Sequence, residues 1–357
     1  VSDGSGASAA CAVSVIDPGE TLPDPDTDTW AGTIATPWYV DDRQPHEYRI
    51  ETGAQLAGFA KLVNAGRFFA GSTFILTNNI DLAGREWTPI GYSSYYFMGT
   101  FDGGGHTISN MRISMRMDRS DLYAGLFGRN SGIIKDVCLS NVYSTHPGGR
   151  IGCAGGLVGH NAGTITGCAS SGLVSSNATT SSSYAGGLVG YNDGTITDCA
   201  SSGSVSSVFV SISSSYAGGL VGHNPGTITG CASSGSVSSL SIDSSSYAGG
   251  LVGYNNGTIT DCASSGSVDS KTTISSSSSS PSAGGLVGWN DGGRIEDCAS
   301  KTGKVSAHAA PGRTAYSGGF IGYVAGGTLI NNHNETRITP AIGRDMRKNP
   351  AGPSDDI

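Results

Sequence analysis

The chain has little charge. Only 13% of its 357 residues are Asp, Glu, Lys or Arg, about half the usual share, and this shortage excludes a helical bundle or coiled coil. Basic residues are the scarcer sign: 20 Lys and Arg stand against 28 Asp and Glu, for a net charge of −8. Nucleic acid is therefore not an expected partner, because phosphate binding needs clustered Lys and Arg. Anionic membrane surfaces are disfavoured on the same ground. No run of 18 apolar residues occurs, so no membrane insertion is expected of this segment. The chain also lacks an initial Met and begins at Val1, which reads as a trimmed or processed product whose signal or anchor would be invisible.

Glycine, by contrast, is abundant, with 56 residues. High Gly and Ser can mean disorder, but disordered chains carry high net charge and few β-branched residues. Here Val, Ile and Thr recur at fixed positions, and an ordered chain is expected. Aligning on Gly-Leu-Val-Gly places Leu157, Leu188, Leu220, Leu251 and Leu286 in one column, with Leu126 before them and Phe320 after. Successive steps are 31, 31, 32, 31, 35 and 34 residues. Each unit reads as short β segments, "GGLVG", "GTIT" and "GSVSS", separated by Asn, Gly, Asp and Ser. The 3.6-residue apolar period of a helix is missing, which excludes helical solenoids. Propeller blades need four strands in a longer repeat. The spacing predicts an all-β fold, a right-handed parallel β-helix with three-strand coils of about 31 residues, each strand pairing with its copies at about 4.8 Å.

The columns then become ladders. The Leu column, Ile165, Ile196, Ile228, Ile259 and Ile295, and Val174, Val205, Val237, Val268 and Val305 are expected to fill the interior. Asn130, Asn161, Asn192, Asn224, Asn255 and Asn290 form a column whose stacked amides can bond one another at a bend. Cys168, Cys199, Cys231, Cys262 and Cys298 share another column. They lack the CxxC spacing or His partners of a metal site and read as a buried, reduced ladder. Cys11, Cys138 and Cys153 fall outside it, and a Cys138–Cys153 bridge stays open.

Four stretches are expected along the chain. Residues 1–29 read as an acidic, Pro-rich leader. Residues 30–122 hold an N-terminal capping helix and the first irregular coils. Thr52 is the candidate N-cap, with Leu56, Phe59, Ala60, Leu62 and Val63 on one face and Gly66 as stop. Residues 123–330 form the repeat helix, and 331–357 a C-terminal cap or tail.

The Gly-Leu-Val-Gly columns resemble the GLUG motif, a repeat of bacterial cell-surface proteins. The block "GAQLAGFAKLVNAG…FILTNNIDLAGREWTPIG…FMGTFDGGGHTISNMRI" is similar to the lead-in that often precedes such repeats. Together they cover roughly residues 50–330. The resemblance implies a parallel β-helical, non-catalytic surface region, as in bacterial immunoglobulin A peptidases and haemagglutinin-like adhesins. Those peptidases carry a zinc-binding His-Glu-x-x-His sequence. Here His46-Glu47 is followed by Tyr-Arg-Ile without a second His, so that motif is absent, and neither cofactor nor metal is expected.

Candidate chemistry within the repeats is sparse. Asp198, Asp261, Asp297 and Glu296 would be the carboxylates of a glycosidase, yet their column also holds Gly167 and Gly230, which marks a bend. Asp102 and His106 in "FDGGGHTI" form the most enzyme-like pair, and also a good tight turn. Binding has more to offer. His160, Tyr191, His223, Tyr254, Trp289 and Tyr323, following Arg129 in one column, would face outward as a ladder of rings that can stack on sugars or protein hot spots. The alternative is that the rings shield the strands beneath. Tyr123, Tyr184, Tyr216, Tyr247 and Tyr316 form a second column expected to be semi-buried packing. Variable Ser/Thr-rich segments such as "SVFVSISSS" and "LSIDSSS" are expected on one face. The reading that results is a secreted or cell-surface bacterial β-helix, extracellular, acting as a non-catalytic adhesin or binding stalk for a glycan or a host or bacterial surface protein. Its alternatives are a filament subunit self-associating by end-to-end stacking, and a β-helix polysaccharide-degrading enzyme.

Overall fold

The computed structural model describes residues 27–39, 44, 46–92, 94–114, 121–146, 151–178, 182–209, 213–273, 280–336, 338–347 and 352–354. They form a parallel β-solenoid of about eight coils with one short helix near the N-terminus. One coil defines the plan: Ser183–Gly186, Val189–Asn192, Thr195–Thr197 and Ala200–Phe209. Stacked on their copies, these strands build four walls, called here first to fourth in that order. Among the described residues the walls contain seven, nine, ten and eleven strands. Pairing is parallel and in register, as in Ile196↔Ile228 and Tyr184↔Tyr216. The exception is Ile342–Asp345, which pairs antiparallel with Gly352–Ser354 at the C-terminal end.

The coil therefore has four strands where the sequence pattern suggested three. The Gly-Gly-Leu-Val-Gly segment is a reversal between two strands. A Cβ placed on Gly186 would lie 1.9 Å from the carbonyl oxygen of Val189, so only glycine lets the chain double back within three residues.

That reversal splits the interior in two. The main core holds the Leu column, the Ile column and the adjacent Val column, with Leu188, Val189 and Ile196 at 0% exposure. A second compartment lies between the first wall and the far half of the ten-residue fourth-wall strands. There Ala185, Ala217, Ala248 and Ala283 face Val205, Val237 and Val268. The Val column thus fills this smaller space for most of its length, with Val174 in the main core. Serines share the compartment because each hydroxyl finds a partner: Ser207 Oγ donates to the Ser183 carbonyl at 3.0 Å and Ser239 Oγ to that of Ser215 at 3.0 Å. A buried hydroxyl without such a bond would be costly.

The bends hold the other ladders. Each buried Asn side chain donates to the next Asn Oδ1 at 2.7–2.9 Å, from Asn130 to Asn290. The five cysteines of the repeat column are free thiols, buried to 2% exposure or less. The backbone N–H of one donates to the sulfur of the next at 3.3–3.4 Å. Asn332 ends the column by accepting from Cys298 N at 3.0 Å. Burial pushes the Cys199 and Cys262 thiols well above their ordinary range. Cys138 is disulfide-bonded while Cys153 is a free thiol, so the two are not joined to each other.

The N-terminal end is plugged. Helix α1 (Gly53–Asn64) starts at Thr52 with a capping box, in which Gln55 N donates to Thr52 Oγ1 and Thr52 N to Gln55 Oε1. Its buried face presents Leu56, Phe59, Ala60 and Val63; Leu62 is only half-buried. Phe59 stacks on Phe74 at 4.1 Å and meets Phe97 edge-on at 5.4 Å. Thr27–Thr29, placed by sequence in the leader, pairs as a strand with Asn79–Asp81 of the fourth wall; residues 1–26 lie outside the described residues. Replacing Thr52 by Ala removes the cap, and unfolding in urea should show a loss of about 1 kcal/mol. An unchanged midpoint would mean that α1 is held by its Phe59 face alone.

Candidate functional site

The ring column sits on the second wall. Strict register aligns Arg129, His160, Tyr191, His223, Tyr254, Trp289, Tyr323 and Arg344, one per coil. Beside it, the first wall aligns Tyr123, Cys153, Tyr184, Tyr216, Tyr247, Ser282 and Tyr316. The two columns meet because the first wall is folded hard against the second. A Cβ on Gly222 would lie 2.6 Å from the Gly190 carbonyl oxygen and 2.9 Å from Ala185 N.

This contact corrects one expectation. The rings do not project freely: all six from His160 to Tyr323 are half-buried. Consecutive members meet nearly edge-to-face, with centroids 4.5–6.0 Å apart. The tyrosines expected to be semi-buried packing are so, and they are the floor of the arrangement: Tyr184, Tyr216 and Tyr247 stack at 5.2 and 5.3 Å.

Two ring orientations alternate. His223 lies nearly parallel to Tyr184 and Tyr216, at 26° and 22°; Trp289 lies at 34° to Tyr247 and His160 at 32° to Tyr123. Tyr191 and Tyr254 stand at 82° and 70° to the same floor, and Tyr323 stands at 89° to Trp289. Rings near-parallel to the first-wall tyrosines thus alternate with tyrosines steeply inclined to them. The sequence carries the same two-coil period, which alignment on single coils hides. "GHNAGTITG" and "GHNPGTITG" alternate with "GYNDGTITD" and "GYNNGTITD", and His160 and His223, Tyr191 and Tyr254, and Asp198 and Asp261 are each 63 residues apart.

Polar edges are largely satisfied by the bend of the next coil. His160 Nε2 faces Asp193 Oδ2 at 2.9 Å, His223 Nε2 faces Asn256 Oδ1 at 3.3 Å, and the Tyr254 hydroxyl donates to Asp291 Oδ2 at 2.8 Å. His223 Nδ1 and Trp289 Nε1 are buried without a partner. Burial, with the Asp193 carboxylate second, pushes the Tyr191 phenol up to about 12, and burial takes Tyr247 up to about 12. Tyr254 is raised by burial and then by its bond to Asp291. In His223 burial favours the neutral ring and lowers the pKa to about 4. The neutral form is thus favoured in His223, Tyr191 and Tyr254, which lie between the two terminal arginines of the column. Arg129 lies over Tyr123, and Arg344 over Tyr316 and Tyr323.

The candidate carboxylates sit in turns and ion pairs. Asp198, Asp261 and Asp297 occupy left-handed bends, each with φ of 52°, in one column with Gly167 and Gly230. Asp102 accepts from Gly104 N at 2.9 Å, closing a tight turn, and pairs with Lys135 Nζ at 2.6 Å. Glu296 is held by Arg294 at 2.6 Å. His46 packs against the Tyr48 ring. Among the described residues no group of three His, Cys, Asp or Glu side chains is placed to hold a metal, and no helix is long and apolar enough to cross a membrane.

A solenoid walled by in-register ladders, with one aromatic row along its axis, is a repeat protein whose variable letters sit on a fixed frame. The repeat itself is the GLUG motif: its sequence family matches residues 181–206, 244–269 and 279–306. In three dimensions the chain is similar to a crystal structure from Bacteroides ovatus described as a "putative immunoglobulin A1 protease", solved at 1.30 Å. The TM-score is 0.55 with 20% sequence identity, over 82% of this chain and 84% of that one. At that identity the likeness is one of fold. No curated protein matches the sequence.

Proposed function

We propose that this chain is a secreted or cell-surface bacterial β-solenoid that acts as a non-catalytic adhesin or binding stalk, taking a glycan or surface-protein ligand on its aromatic row. The observation that carries the reading is the row itself. Six half-buried rings are held edge-to-face, and His160, His223 and Tyr254 are also tied to the bends, so ligand binding would cost little side-chain entropy. Rings of this kind supply contact area to sugars and to protein anchors alike. Helix α1 closes the apolar N-terminal end of the core, which favours a discrete solenoid over an end-stacked filament. Asp102 and Glu296 are engaged in ion pairs and Asp198, Asp261 and Asp297 in left-handed bends, which favours binding without bond cleavage.

The test is an array of glycans and purified surface glycoproteins, probed with the intact protein and with a Tyr191→Ala/Tyr254→Ala variant of matched circular dichroism. Binding by the parent and a loss of tenfold or more in the variant are expected. Equal binding by both would remove the row from the site, and released sugar or cleaved polypeptide would overturn the non-catalytic reading.

A further inference from the structure

The row has a repeat longer than one coil, and that repeat selects among ligands. Tyr191 and Tyr254, inclined 82° and 70° to first-wall tyrosines, and Tyr323, at 57° to Tyr316, recur every second coil, separated by His223 and Trp289, which lie at 26° and 34° to theirs. Strands in a parallel sheet lie about 4.8 Å apart, so like rings recur about every 9.6 Å along the axis. A ligand that stays in register must repeat over the same distance. An extended peptide rises about 3.3 Å per residue and presents the same side every 6.6 Å, so it loses register within two coils. Extended β-1,4-linked glycans alternate the facing of successive sugars, and the disaccharide that restores it spans nearly the two-coil distance. α-1,4-linked chains coil and cannot keep the match.

Charge narrows the class further. Exposed carboxylates border the row at the bend that follows it: Asp193, facing His160, and Asp291, bonded to Tyr254. Guanidinium groups occur in the column only at its two ends, as Arg129 and Arg344, both engaged with tyrosine rings. A polyanion such as a uronic-acid chain would be repelled along the whole length between them. Half-buried rings with few charged edges suit neutral pyranose rings better than ionised ones.

We propose that the row binds an extended neutral β-1,4-linked polysaccharide laid along the solenoid axis, one disaccharide to two coils. The inference rests on the binding reading above and names its ligand. Six rings provide three such two-coil steps, so the row is filled by about six sugars.

Titration calorimetry with cello- and chito-oligosaccharides of two to eight sugars tests it, with the malto-oligosaccharide series and polygalacturonate as comparators. Affinity for one β-1,4 series should climb with each added disaccharide and level off near the hexamer. The maltohexaose and the polyanion should bind at least tenfold more weakly. Tyr191→Ala and Tyr254→Ala should each lower hexamer affinity about tenfold at a temperature where circular dichroism shows both variants folded, their melting temperatures falling with the lost ring contacts. Tyr254→Phe, which keeps the ring and loses only the bond to Asp291, should stay within about threefold. Equal affinity for malto- and cello-hexamers, or preference for polygalacturonate, would overturn the inference and leave glycan binding standing. So would binding that does not grow with length. Binding to a surface protein with no glycan of any series would overturn it too, and leave only the protein arm of the proposed function.

Discussion

Gly222→Val is expected to unfold the centre of the solenoid, lowering stability by more than about 3 kcal/mol, at or above the upper end of what overpacking usually costs. The first atoms met by a Cβ at this position are backbone atoms of two different walls, the Gly190 carbonyl at 2.6 Å and Ala185 N at 2.9 Å. Neither can rotate away as a side chain would. Relief requires the first and second walls to separate, which breaks their fit above and below because Gly190, Gly253 and Gly288 make the same approach in neighbouring coils. Stability in a repeat array is a sum of units and their interfaces, so calorimetry should show the single transition dividing into two as the flanking halves melt apart. Gly303→Ala is the control, since its nearest foreign atom is 3.5 Å away; it should leave the melting profile within experimental reproducibility. A Gly222→Val protein that melts like the parent would show that the walls are not in contact.

Acid is expected to weaken the fold through His223, and the sign follows from its burial. The folded ring has a pKa of about 4 against an ordinary value of 6.5. Between those values the unfolded chain binds a proton that the folded chain refuses, so stability rises with pH across this window. Above pH 6.5 both states are neutral and the group contributes no slope. Below about pH 4 both are charged and the loss is complete. The difference corresponds to about 3 kcal/mol at 1.36 kcal/mol per pKa unit. The atomic reason is that Nε2 faces Asn256 Oδ1 while Nδ1 is buried without a partner; an added proton on Nδ1 would have nothing to donate to. His146, buried between the fourth and first walls, is lowered by burial as well and adds a slope of the same sign. Urea unfolding of the parent and of His223→Phe from pH 7.5 to 3.5 should give curves that converge toward high pH in slope and part between pH 6.5 and 4, the variant losing about 3 kcal/mol less. Parallel curves would place the His223 proton in solvent.

How much of this could be read from the letters alone differs by feature. Ile196, Ile228 and Ile259 are three residues in a strict column, and a column of β-branched residues with glycine bends admits little but a stacked strand. The Asn column was equally legible, because an amide that bonds its own copy needs only equal spacing. Thr52 announced the start of α1, and Asp198 beside Gly167 and Gly230 announced a bend; the return bond from Thr52 N to Gln55 came only with the structure. The fourth strand was hidden, since Gly186 to Val189 is a reversal seen only when the Val189 carbonyl is found where a Cβ would sit. The second compartment was hidden with it, as Val205 pairs with Ala185 rather than with the main core. For the candidate site, the membership of the row was legible and its shape was not. His223 and Tyr254 occupy equivalent positions in the sequence, yet one lies within 26° of the Tyr184 and Tyr216 planes while the other is inclined 70° to Tyr216.

The sequence by itself determined the repeat, its parallel stacking, the identity of each ladder and the absence of a peptidase zinc motif, because each depends on spacing along one chain. Tertiary structure decided that the first wall folds back onto the second, that the rings are half-buried, and that they alternate in orientation every two coils. Those properties depend on which backbone lies against which, at distances of 2–3 Å that only glycine permits, and a one-dimensional pattern carries no record of that contact.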